Sequence, residues 1–165
     1  MARATVLVLC TGNSARSILG EALLDAAGFE AHSAGSRPRG DVHPMALRVL
    51  AEEGFATDRY RSKSWDEFSD DAEDAPTFDV VVTVCDSAAG ETCPLWHGSP
   101  VRTHWGLPDP AAVDGSEASV HAAFKDTFRA LKRRVDAFKT LDLDTMDARD
   151  LKAALDAIGA MDGAP

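Results

Sequence analysis

The chain has 165 residues, 45% hydrophobic and 27% charged, enough for one globular unit with its own core. Its formal net charge of −10 argues against nucleic acid or an anionic membrane as partner, since both require a basic face. No segment approaches the roughly 20 apolar residues of a membrane span. The opening MARATVLVLCTG has too short an apolar run for a signal peptide, so a cytoplasmic protein with reduced thiols is expected.

Residues 5–9, TVLVL, form an apolar run without polar alternation, which predicts a fully buried strand ending at Cys10. RSILGEALLDAA at 16–27 has helical spacing with Gly28 as its stop, and FEAHSAG at 29–35 is a short strand. DVHPMALRVLAEEG at 41–54 predicts a second helix, with Asp41 or His43 near its start, Pro44 in its first turn and Gly54 as its stop. The acidic stretch at 62–76 reads as a loop with one helical turn. FDVVVTVC at 78–85 is the second buried strand signal, followed by a Gly- and Pro-punctuated loop over 86–100. VRTHW at 101–105 is a short strand and GLPDPAAV at 106–113 a proline-flanked loop. Amphipathic helices are expected at 117–139 and 147–159.

Strands alternating with helices imply an α/β fold, a parallel sheet covered on both faces by right-handed crossovers. Ligands of such sheets bind beyond the carboxyl ends of the strands, where strand order reverses. Cys10 ends the first strand, Cys85 the third, and Asp109 follows the fourth, so all three are expected on one edge. Trp96, Trp105 and His104 fall near that edge and read as cover for the sheet.

The segment CTGNSARS at 10–17 joins a buried strand to a helix. The N–H groups of such a turn and the positive end of the helix suit a tetrahedral oxyanion. Thr11, Gly12, Asn13, Ser14, Ala15, Arg16 and Ser17 are the candidate oxyanion-binding residues. Gly12 permits close backbone approach, and Arg16 can give two parallel hydrogen bonds. Cys10 then sits beneath the central atom, its pKa lowered by the helix end, Arg16 and the Ser17 hydroxyl. Cysteine and arginine at this spacing are a weak signal alone; the preceding strand, the glycine and the following helix make it specific.

VLCTGNSARS resembles the phosphate-binding loop of the low-molecular-weight protein tyrosine phosphatase fold, HSAG at 32–35 the end of its second strand, and LPDPA at 107–111 its general-acid loop. The resemblance implies a three-layer α/β/α fold with a four-stranded parallel sheet over residues 1–140, and leaves 141–165 as a C-terminal helical extension of the same domain. It implies Cys10 as nucleophile, Arg16 as oxyanion ligand and Asp109 as general acid, although Pro-Asp-Pro is also good turn chemistry. Two features depart from a tyrosine phosphatase. Ala111 and Ala112 offer no ring to stack on an aromatic substrate, and Cys85 and Cys93 have no part in ester hydrolysis.

With those cysteines and HWGLPDPA at 104–111, the chain resembles the arsenate reductases built on that scaffold, above all the thioredoxin-coupled type. This implies that Cys10 attacks arsenate, Cys85 attacks Cys10 and releases arsenite, and Cys93 attacks Cys85, leaving a Cys85–Cys93 disulfide for an external thiol reductant. Thioredoxin is the expected reductant, with a glutathione or mycothiol system as the alternative, and phosphate or sulfate are competing oxyanions. No tightly bound cofactor is expected. A potassium ion near the loop is implied, with Asn13, Glu21, Ser33 and Asp66 as its ligands. Two alternatives stand beside this reading: a zinc site of Cys85, Cys93 and His97, whose spacing matches no common pattern, and Cys85 as an inert buried thiol. A phosphatase acting on phosphotyrosine or small phosphoesters is the second functional expectation.

Overall fold

The computed structural model describes residues 4–85 and 94–161. Four parallel strands, β1 (Thr5–Cys10), β2 (Glu30–Gly35), β3 (Val80–Thr83) and β4 (Val101–His104), form one sheet in the order β2-β1-β3-β4. After β1 the chain crosses to β2 on one side and then returns to β3 on the other. The carboxyl ends of β1 and β3 therefore flank the point where strand order reverses. Val84 N–H donates to Leu9 O (2.9 Å), which sets Cys85 beside Cys10.

Helices α1 (Arg16–Ala26), α2 (Pro44–Glu52), α3 (Glu117–Lys139) and α4 (Ala148–Gly159) contribute to one core with Val6, Val8 and Cys10. Side chains of a strand alternate between faces, so Leu7 and Leu9 point the other way. There they meet Phe78, Val81 and Trp96, with Trp65 and Phe68 of a 3-10 turn at Trp65–Phe68. In α3, Phe124, Phe128, Leu131, Val135 and Phe138 are buried, spaced to share one face. Ser116 caps this helix by accepting from Ser119 N–H, and Asp147 caps α4 by accepting from Asp150 N–H.

One element is shorter than expected. The strand expected at 78–85 is regular only over Val80–Thr83, because the register with β4 covers those four residues and Phe78 N–H turns aside to His97 O. The last helix, expected as an extension of the same domain, lies against β4. Trp105 Nε1 donates to Leu155 O (3.1 Å), Thr103 Oγ1 donates to Asp156 Oδ1 (2.7 Å), and Leu155 is fully buried. Trp105 and Trp96 are both buried, one in each core, and His104 Nδ1 shares a hydrogen bond with Thr83 Oγ1 (2.7 Å). No helix among the described residues is long and apolar enough to cross a membrane.

Candidate active site

The loop between β1 and α1 is held from outside by backbone and from beneath by side chains. Three of its carbonyls accept from the segment after β2: Thr11 O from Arg37 N–H, Gly12 O from Arg39 N–H and Ser14 O from His43 N–H, at 2.8 to 3.0 Å. Asn13 is fully buried with a positive φ of 46°, a conformation asparagine tolerates better than most residues. Its Nδ2 donates to Ser17 Oγ (2.7 Å) and Ser33 Oγ (3.0 Å), and its Oδ1 accepts from Lys63 N–H (2.9 Å). Ala15 gives α1 no side-chain cap, so no side chain competes for the helix's first N–H groups.

Over this loop lies a pocket of about 350 Å³, lined by Cys10, Thr11, Gly12, Ser14, Ala15, Arg16, Arg37, Arg39, Cys85, Asp109 and Ala111. Arg16 is anchored by an Nη1 bond to Leu107 O (2.8 Å) and stands 3.8 Å from Asp109 Oδ2. Its Nε is buried without a hydrogen-bond partner among the described residues, a donor in reserve for an oxyanion. Asp109 takes the turn role expected of Pro-Asp-Pro: Oδ1 accepts from Ala111 N–H (2.9 Å) and caps the 3-10 turn Pro110–Ala112, while Oδ2 faces Arg16. Ala111 brings only a methyl group, and no aromatic ring lines the pocket among the described residues.

Cys10 and Cys85 are both buried and in the pocket wall, and Thr11 Oγ1 lies 3.6 Å from Cys85 Sγ. The expected acidic thiol at Cys10 is not what this pair produces. A hydrogen bond with Cys85 and burial push the Cys10 pKa up, outweighing Arg16 and the Gly12 N–H, which pull it down. Two facing sulfurs titrate as a unit: once one carries the charge, the other keeps its proton.

Other expected site residues divide. The side chains of Asn13 and Ser17 brace the loop from below and are not in the pocket wall; Ser17 Oγ accepts from Asn13 instead of supporting Cys10. Cys93 lies outside the described residues. His97 is held by Ala72 O (3.3 Å); the zinc alternative includes Cys93, and among the described residues no group of three His, Cys, Asp or Glu could hold a metal. Of the four residues expected around potassium, Asn13, Ser33 and Glu21 join in one buried network in which Ser33 Oγ donates to Glu21. Asp66 is exposed on the 3-10 turn and makes no hydrogen bond to that network. The ammonium of Lys63, 8% exposed, already stands 3.9 Å from Glu21 Oε1. A second cation sharing that carboxylate would lie within roughly 6 to 7 Å of Lys63 Nζ and be repelled by on the order of 3 kcal/mol at an effective dielectric of about 20. These residues do not fit a bound potassium ion.

Sequence reasoning missed Arg37, Arg39 and Lys63. The first two were open to the sheet-edge argument, since SRPRG follows the carboxyl end of β2 directly. Lys63 carried no local signal.

A cysteine under an anion-binding loop, an arginine across it and a carboxylate at its mouth define a cysteine-nucleophile enzyme of oxyanion chemistry. Residues 5–150 match the family described as low molecular weight phosphotyrosine protein phosphatase, and the chain belongs to it. Among its relatives, an arsenate reductase of Halalkalibacterium halodurans is 32% identical over 143 residues, 84% of this chain and 96% of that protein. A crystal structure of arsenate reductase from Archaeoglobus fulgidus superposes with a TM-score of 0.58 at 29% identity, covering 79% of this chain and 98% of that one. The thioredoxin-dependent arsenate reductase of Corynebacterium glutamicum gives 0.54 at 27% identity, over 81% of this chain and 62% of that one.

Proposed function

We propose that the protein is an arsenate reductase working by a thiol relay, with arsenate as substrate and phosphate or sulfate as competitors for the same loop. The observation that carries this reading is the second cysteine: Cys85 shares one pocket wall with Cys10, where ester hydrolysis has no use for it. The arsenate reductases among its relatives support the reading independently.

In this mechanism Arg16 and the loop N–H groups hold the arsenate oxygens. The Cys10 thiolate attacks arsenic, an S–As bond forms, and the departing oxygen leaves as water after Asp109 supplies a proton. The bound arsenate, itself an anion, takes the Cys10 proton, and Cys85 can lose its own proton once the charge on Cys10 is consumed in the S–As bond. The Cys85 thiolate then attacks Cys10 sulfur, the S–S bond forms, and the S–As electron pair stays on arsenic, reducing As(V) to As(III), released as arsenite. Cys93 attacks Cys85, freeing Cys10 and leaving a Cys85–Cys93 disulfide. A dithiol reductant of the thioredoxin class supplies two electrons and two protons to close the cycle. A chemistry that depends on reduced thiols suits the cytoplasm.

The test is arsenite release with thioredoxin, thioredoxin reductase and NADPH, comparing wild type with Cys85→Ser and Cys93→Ser. Wild type should turn over continuously, and each variant should stop after at most one equivalent. Variants that match wild type would refute the relay. Hydrolysis of a phosphate ester without arsenite formation under any thiol system would make the protein a phosphatase.

A further inference from the structure

We propose that Lys63 is a built-in cation: its ammonium neutralises Glu21 and, through Ser33 and Asn13, holds the oxyanion loop, so that oxyanion capture by this chain needs no potassium. The inference rests on reading the loop as an oxyanion site, and it is tested by binding, independently of arsenate reduction.

Lys63 is tied to the loop at both ends. Its backbone N–H donates to Asn13 Oδ1 (2.9 Å), and its Nζ donates to Arg61 O (2.9 Å) and lies 3.9 Å from Glu21 Oε1. Glu21 accepts from Ser33 Oγ, and Ser33 Oγ accepts from Asn13 Nδ2 (3.0 Å). The connections close into a ring, Asn13–Ser33–Glu21–Lys63–Asn13. Asn13 is the loop residue whose positive φ turns the chain between Gly12 and Ser14. Whatever fixes its side chain therefore fixes the direction of the neighbouring loop N–H groups.

The ring has to hold a buried carboxylate two hydrogen bonds from the oxyanion loop. The Glu21 side chain is only 12% exposed and that of Lys63 8%. An uncompensated charge on Glu21 would oppose a bound oxyanion, and burying it alone is unfavourable. Burial holds the Lys63 pKa below the usual lysine value, and Glu21 offsets part of that shift, as expected of a buried lysine facing a carboxylate. The other acidic groups nearby have partners of their own: Glu67 pairs with Arg61 and Asp25 with Arg59. Lys63 is thus a positioning residue, acting on the oxyanion through Asn13.

The experiment measures phosphate affinity from the rise of Tm with phosphate concentration, in potassium and in tetramethylammonium buffers, for wild type, K63M, K63R and E21Q/K63M. Wild-type affinity should agree within about twofold between the two cations, and K63R should follow it. K63M should bind about tenfold more weakly in tetramethylammonium, a mid-range coupling between linked sites, and potassium should restore most of the loss by entering the vacated place. E21Q/K63M, which removes both charges, should recover affinity in either buffer and keeps the test open if K63M folds poorly. Wild-type affinity rising severalfold with potassium would overturn the proposal. So would K63M binding like wild type, a K63M loss that potassium does not repair, or a double variant as weak as K63M.

Discussion

Gly35 is the residue of HSAG where the chain passes closest to the oxyanion loop. A Cβ there would lie 2.4 Å from Thr11 O and 3.0 Å from both Cβ and N of Asn13. A carbon–oxygen contact ordinarily begins near 3.3 Å, so in Gly35→Ala the loop must retreat by about 0.9 Å. Thr11 O also accepts from Arg37 N–H, and Gly35 N–H donates to Lys63 O, so the displacement cannot be absorbed by one side chain. Overpacking of this kind costs about 1–3 kcal/mol, a Tm loss of about 2–10 °C for a chain of this size. A shift near 1 Å under the reacting centre can cost about 10²-fold in rate. Gly28→Ala is the control: Gly28 has a φ of 101° but nothing within 4 Å of the added carbon, so it should lose stability while keeping kcat/KM. The measurements are arsenate kcat/KM and thermal melts of both variants. Gly35→Ala within twofold of wild-type kcat/KM, or no worse than Gly28→Ala, would show that the loop does not rest on Gly35 and refute the reasoning.

Three further outcomes follow from the site. Cys85→Ala removes the main cause raising the Cys10 pKa; alkylation of Cys10 near pH 7, followed by mass spectrometry, should quicken about tenfold, equivalent to about 1.4 kcal/mol, whereas an unchanged or higher pH midpoint would place the shared charge on Cys10 already. Arg37→Gln with Arg39→Gln should raise the oxyanion KM about three- to tenfold, leave kcat within about twofold and flatten the dependence on ionic strength; a loss confined to kcat would contradict a capture role. His43 caps α2 by accepting from Met45 N–H at Nδ1 (3.0 Å), and burial, then Arg39, lower its pKa below 6.5. Its neutral form is favoured in the folded state, so this stabilisation is present above pH 6.5 and is lost as the pH falls towards the folded value. His43→Asn keeps a capping side chain without the titration, and its Tm should fall less than that of wild type between about pH 7 and 5.

Much of the fold was legible in short stretches. The unbroken apolar run before Cys10 and the 4-3-4-3 spacing of Phe124, Phe128, Leu131, Val135 and Phe138 report burial through periodicity, which needs no knowledge of the partner surface. The helix expected at 117–139 therefore begins and ends where it was read, with a serine cap before it. Cys10, Gly12 and Arg16 were legible for a similar reason: the chemistry of the loop is contained in seven consecutive residues. The pKa of Cys10 was misread because its strongest influence, Cys85, is 75 positions away in the chain.

The sequence by itself determined the alternation of strands and helices, the sheet edge on which Cys10, Cys85 and Asp109 meet, and the loop that carries the anion chemistry. These follow from backbone geometry and local side-chain spacing, which act within a few residues. Tertiary structure alone decided which side chains meet across the chain: Arg16 with Leu107 O, Asn13 with the Lys63 backbone, Arg37 and Arg39 at the pocket, and Trp105 under the last helix. Such contacts are set by how elements pack, and a buried lysine beside a glutamate looks, in one dimension, like two surface charges 42 positions apart. The physical difference is desolvation: only after folding removes water from Lys63 and Glu21 does each need the other.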